Sequence, residues 1–165
     1  MRPVVWRPPA PAELAVIKAV RRARLFVFLR EHRHELFDEE FQAELAGAYA
    51  DSPKGQPPVP PAQLALATAL QAYTGVSDDE VTEATVMDRR WQLVLDCMDA
   101  DRPPFSKGTL VGFRARLTGR DLDRWLAGRA VALAARTGGF GARALPAALD
   151  SSPLWARAGW RTRST

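Results

Sequence analysis

Cysteine is almost missing from this chain. Cys97 stands alone among 165 residues, so no disulfide can form within the chain and nothing demands an oxidising compartment. A zinc site lacks ligands too. Its nitrogen and sulfur donors would be His32, His34 and Cys97 alone, and an i, i+2 histidine pair points two ways on a helix. Cys97 lies in an apolar run with Leu93, Val94, Leu95 and Met98, which marks it as a small core residue. Lysine is scarce, at positions 18, 54 and 107, and arginine supplies nearly all the positive charge. No apolar run approaches the roughly 20 residues of a membrane helix. Pro3, Pro8, Pro9 and Pro11 interrupt any signal-peptide pattern at the start. These absences predict a cytoplasmic protein without a membrane partner.

What is present suits one ordinary soluble domain. Hydrophobic residues make up 47% and charged residues 25%, enough apolar side chain for a core and too little charge for global disorder. The formal net charge is +4. Arginine carries a fixed, planar charge suited to phosphate, so a polyanionic partner fits, as does a merely hydrated surface.

Patterning along the chain predicts a mainly α fold: a compact helical bundle with a helix-turn-helix-like unit, then a short strand stub and a disordered tail. Residues 1–11 read as a disordered, proline-rich lead-in. Helical spacing of Leu14, Ile17, Leu25 and Phe28 predicts a single helix over 12–33. Its Arg21, Arg22 and Arg24 cluster reads as a solvated face in preference to a phosphate contact. A short helix follows from Asp38, with Phe41 and Leu45 inward. Residues 51–61 form a proline-rich linker, and Pro60 or Pro61 opens a buried helix over 61–73 with Leu64, Ala67, Leu70 and Tyr73 on one side. After a break at Thr74–Gly75, Ser77 and Glu80 form a capping box that starts a helix at 78. Helix, glycine turn and capped helix together give the helix-turn-helix layout.

Beyond Asp88 an amphipathic stretch predicts a helix ending near Asp99. Ser106 caps the next, with Leu110, Phe113 and Leu117 inward. A last helix spans about 121–136, carrying Leu122, Trp125, Leu126, Ala130 and Leu133. Gly138, Gly139 and Gly141 then end the helical region. Ala144–Leu149 is short and apolar, strand-like at its end, and runs into Asp150.

Two features point to chemistry. Lys107, Arg114, Arg116 and Arg120 lie in the segment 107–120, on the helix that Ser106 caps and that runs to about Leu117. They fit a helix set against a phosphate backbone or in a major groove, and equally a hydrated surface. Arg89 and Arg90 are secondary candidates. Asp150, at the end of a short apolar strand, stands where ribonuclease-H-like enzymes hold a metal-binding carboxylate, though an aspartate there is more commonly a turn or cap.

Several blocks carry a family resemblance. Leu36-Phe37-Asp38-Glu39-Glu40-Phe41, then Pro60-Pro61 through Leu70-Gln71-Ala72-Tyr73-Thr74-Gly75-Val76-Ser77-Asp78, resemble the N-terminal domain of bacterial insertion-sequence DDE transposases. So do Arg90-Trp91-Gln92-Leu93, Pro104-Phe105-Ser106 and Phe113-Arg114-Ala115-Arg116-Leu117. The likeness runs on through Thr137-Gly138-Gly139-Phe140-Gly141 to Ala148-Leu149-Asp150-Ser151-Ser152-Pro153-Leu154. It covers about residues 36–155, with the blocks in the family's order.

The resemblance implies a helical DNA-binding domain over 12–137 that engages terminal inverted repeats, and the start of a truncated ribonuclease-H-like catalytic domain over 138–155. Asp150 matches the first of the family's three catalytic, metal-binding carboxylates; the second and third would lie further downstream. Mg2+ serves the intact family, and no stable binding to this chain is expected, because one carboxylate cannot hold two ions. Residues 156–165 read as an out-of-frame version of the family's motif after Asp-Ser-Ser-Pro-Leu. The expectation is therefore a truncated transposase used in DNA transposition, inactive alone in cleavage. The alternatives are a regulatory or inhibitory partner of full-length transposase, with self-association possible in either case, or a fragment without a role.

Overall fold

The computed structural model describes residues 4–49 and 59–138. They form eight helices in chain order: α1 (Pro11–Ala19), α2 (Arg24–Leu36), α3 (Glu39–Gly47), α4 (Pro61–Thr74), α5 (Asp78–Met87), α6 (Arg89–Leu95), α7 (Lys107–Gly119) and α8 (Leu122–Thr137). No strand occurs among the described residues, so the fold is mainly α. Residues 51–58 of the expected linker, the expected strand stub, Asp150 and the tail 156–165 lie outside the described residues.

α4 contains no charged residue, and that decides where it goes. A helix apolar on every side must be buried on every side. Every residue from Leu64 to Gln71 is buried, and α4 packs against α2, α3, α5, α6 and α7. It forms the axis of the bundle. Pro61 opens it, where a missing N–H removes nothing. Gly75 closes it at φ 72°, a left-handed conformation that favours glycine. Tyr73, expected inward, is exposed: nine residues beyond Leu64, it falls on the opposite side of the helix, in the last turn.

The turn after α4 and the capping box behave as local chemistry dictates. Ser77 Oγ accepts from the Glu80 N–H at 3.3 Å, and the Ser77 N–H donates to Glu80 Oε2 at 2.7 Å. Asp38 caps α3 by accepting from the Phe41 N–H at 2.9 Å, which turns Phe41 and Leu45 into the core. The helix after Asp88 is shorter than expected. α6 stops at Leu95, because Asp96 adopts a left-handed conformation and its carboxylate receives Arg33.

The N-terminal region departs most from expectation. Instead of one helix over 12–33 there are two, separated by a turn at residues 20–23. Arg30 of α2 donates to both carboxylate oxygens of Glu13 in α1, at 3.0 and 3.2 Å. In a continuous helix those residues would stand about 25 Å apart along the axis. Forming this nearly dry ion pair therefore requires the break. The lead-in is also held over its described part: Val4 exchanges hydrogen bonds with the Gln42 side chain. The Trp6 ring lies over Arg33, 4.5 Å from guanidinium carbon to ring centre.

Arginine is a building material here. Arg33, fully buried, donates to the Leu93 and Val94 carbonyls at 3.1 and 2.8 Å and to Asp96 at 2.7 Å, closing the C-terminus of α6. Arg129 of α8 donates to the Glu35 and Leu36 carbonyls at the end of α2 and pairs with Asp38. Helix ends leave carbonyls unpaired and partly negative, and a guanidinium satisfies both demands.

Candidate nucleic-acid interface

Three candidate cations, Lys107, Arg114 and Arg116, lie on α7, and the fourth, Arg120, follows its last residue. Ser106 accepts from the Thr109 N–H at 3.2 Å and starts the helix. Leu110, Phe113 and Leu117 are buried, as their spacing requires. That inward stripe fixes where the remaining residues point.

The four cations do not form one face. Lys107 and Arg116 are nine residues apart, about half a turn out of phase at roughly 100° per residue. Lys107 and Arg114 flank the buried stripe on the side of α5. Lys107 Nζ lies 2.7 Å from Asp79 in a solvent-exposed pair. Arg114 is committed more deeply. It grips Asp78 with both Nη atoms, Nη2 to Oδ2 at 2.9 Å, and reaches Gln71 Oε1 with Nη1. Gln71 in turn donates to Asp78 Oδ1 at 2.7 Å. The hydrogen bonds from Arg114 chiefly hold the Asp78 carboxyl below its ordinary value, against the opposing effect of burial. This cluster joins α4, α5 and α7.

Arg116 and Arg120 lie on the other flank, toward α3. The Arg116 guanidinium rests over the Tyr49 ring, 4.8 Å from its centre. Arg120 donates to the Gly47 carbonyl at 2.6 Å, at the C-terminal end of α3. Both are exposed. Three of the four candidates thus remain at the surface, while Arg114 is partly buried in an internal role.

Between the two flanks the outward face of α7 is made of glycine and alanine with one valine, Val111. Gly108, Val111, Ala115 and Gly119 are exposed and Gly112 is partly so. A Cβ added at Gly119 would meet nothing within 4 Å, so the interior of the fold does not require glycine there. The sequence signal for this arrangement is the helical phase of Lys107 against Arg116, together with the glycines between them. A smooth strip bordered by Lys107 on one side and Arg116 and Arg120 on the other can lie close to a polyanion. It offers few donors for reading base edges, which need side chains such as Arg, Asn or Gln at the centre of contact.

α5 has the opposite character. Asp78, Asp79 and Glu80 occupy its first turn, Glu83 is exposed, and the helix contains no Lys or Arg. The acids suit the helix dipole, and they oppose insertion of α5 into a groove walled by phosphates. Arg89 and Arg90, the secondary candidates, face Asp99 and Asp88 at 3.6 and 2.5 Å.

Asp150, the candidate catalytic and metal residue, lies outside the described residues. Among those described, no three His, Cys, Asp or Glu residues gather in a way that could hold a metal ion, and no helix is long and apolar enough to cross a membrane. Cys97 is half-buried against the core, and burial pushes its thiol up to about 11.

Neither curated proteins nor solved structures gave a match to this chain. A family model described as a transposase domain, DUF772, matches residues 20–116. That is more than half of the chain, from the turn before α2 to Arg116 in α7. The chain belongs to this transposase domain family.

Proposed function

We propose that the helical domain is the DNA-binding part of an insertion-sequence transposase, and that it engages duplex DNA at the terminal inverted repeats during transposition. The observation that carries the DNA-binding reading is the outward face of α7, a strip of glycine, alanine and Val111 bordered by Lys107, Arg116 and Arg120. These cations would contact phosphates on either side of a closely approached backbone strand. Lys107 can leave Asp79 for a phosphate at little expense, since exposed ion pairs contribute only about 0–1 kcal/mol. Arg114 is a positioning residue that holds α7 against α5. α5 itself, with its acidic first turn, does not enter a groove, so the helix-turn-helix layout of α4 and α5 acts as scaffold.

The same strip favours a second reading, in which α7 packs on another copy or on an intact transposase and regulates it. Charge argues against a symmetric version of that contact. Two such faces would bring Lys107, Arg116 and Arg120 of each copy against their like, and like charges brought together repel.

The test compares the full chain with a Lys107→Gln, Arg116→Gln, Arg120→Gln variant by fluorescence anisotropy on duplex DNA at several salt concentrations. Loss of about three phosphate contacts flattens the log affinity against log salt slope by about 2.7. An unchanged slope would remove α7 from the interface.

A further inference from the structure

The turn between α1 and α2 carries the densest uncompensated charge on the described surface. Lys18, Arg21, Arg22 and Arg24 fall within seven residues, and all four are exposed. No carboxylate occurs anywhere between Glu13 and Glu31. Glu13 is taken by Arg30, itself 3% exposed, and does not neutralise the turn. Elsewhere on the surface Arg89, Arg90, Lys107, Arg124 and Arg136 each have a carboxylate at hand, while Arg116 rests on a ring and Arg120 on a carbonyl. The four cations of this turn have no carboxylate at hand among the described residues.

Two features make the arrangement unfavourable for the isolated fold. Arg24 occupies the first residue of α2, whose first turn contains no acid and whose N-cap, Ala23, offers no side-chain hydrogen bond. A cation there opposes the helix dipole. Three arginines and a lysine around one short turn also repel one another. The turn is nevertheless fixed, by the Glu13–Arg30 pair on one side and by Ala23 packed against the core on the other. A partnerless cluster of cations on a fixed turn suits the phosphates of a duplex backbone, because each guanidinium can engage a phosphate with two parallel hydrogen bonds.

We infer that the α1–α2 turn is a second phosphate-binding site for duplex DNA, built from Lys18, Arg21, Arg22 and Arg24 and separate from the face of α7. This rests on the reading that the domain binds DNA. It assigns to the turn a share of the affinity that is independent of sequence. The contact is to the backbone, since phosphate contacts position a protein on a duplex while base edges specify the sequence.

The experiment uses the full chain, an Arg21→Gln, Arg22→Gln, Arg24→Gln variant and an Arg21→Lys, Arg22→Lys, Arg24→Lys variant. Each is titrated into a labelled duplex of arbitrary sequence over a range of salt, with phosphatidylserine vesicles as a parallel probe. The glutamine variant should weaken binding at least tenfold near 0.1 M salt and flatten the slope by about 2.7, while the lysine variant restores most of the slope. Its thermal midpoint should equal or exceed that of the unaltered chain, since repulsion is relieved, so a lost fold cannot imitate the result. A slope unchanged by the glutamine substitutions, while those in α7 flatten it, overturns the inference and leaves DNA binding through α7 intact. Vesicle binding without any DNA binding overturns both.

Discussion

Arg114 and Asp78, separated by 36 residues, meet in a two-pronged ion pair that fastens α7 to the first turn of α5. Gln71 of α4 contacts both partners and is itself buried. An arginine whose place in the sequence suggests a DNA contact is thus a strut between three helices.

Removing one partner should therefore affect stability before it affects binding. Arg114→Gln leaves a partly buried carboxylate without its guanidinium, a loss of about 1.5–3 kcal/mol. Urea denaturation should show the midpoint falling with little change in slope. An equally stable variant with weakened DNA binding would return Arg114 to the interface.

The same pair gives the domain an acid limb. Asp78 has a folded value below its ordinary 3.8, with Arg114 as the leading cause. A depressed carboxylate contributes stability that is fully present above the unfolded value and is lost as pH falls through the folded one. Asp78→Asn should accordingly shrink the difference in stability between pH 6 and pH 3. If the variant and the unaltered chain lose stability in parallel over that range, the pair is not the source.

Arg33 offers a harsher test. It has no exposed surface and closes α6 through two carbonyls and Asp96. Arg33→Ala strips those groups of their donor and opens a void beneath Trp6, with an expected loss of about 3–5 kcal/mol. A loss below about 1 kcal/mol in chemical denaturation would mean that water replaces the guanidinium without difficulty.

Cys97 should be sluggish. Burial raises its thiol from 9.0 to about 11, which lowers the thiolate fraction at pH 8 by about two orders of magnitude. The greater nucleophilicity of the more basic thiolate recovers part of that. Reaction with a disulfide reagent should run at least about tenfold slower in the native chain than in urea. Equal rates would place the thiol in solvent.

Much of the fold was legible because its causes are local. The Ser77–Glu80 box, the Asp38 and Ser106 caps, the left-handed Gly75, Pro61 at a first turn and the Leu110, Phe113, Leu117 stripe each depend on neighbours a few residues away. The turn at residues 20–23 was not legible in that way. Apolar residues keep helical spacing through it, and the break answers to the long-range meeting of Glu13 and Arg30. The arginine roles were hidden for the same reason. Arg33, Arg114 and Arg129 find partners 36 to 94 residues away, and a guanidinium that supports a helix end looks in sequence like one that awaits a phosphate. Helical phase alone could have separated Lys107 from Arg116. It could not have shown that Arg114 is partly enclosed.

The most direct measurement is equilibrium binding of the unaltered full chain to duplex DNA, including inverted-repeat and scrambled sequences, from 20 to 300 mM salt. DNA gripped through phosphates by α7 should give saturable binding at low salt and an affinity that falls steeply and log-linearly as salt rises, with a preference for the inverted repeat superimposed. Absence of binding at the lowest salt, or an affinity indifferent to ionic strength, would contradict a DNA-binding role for this bundle.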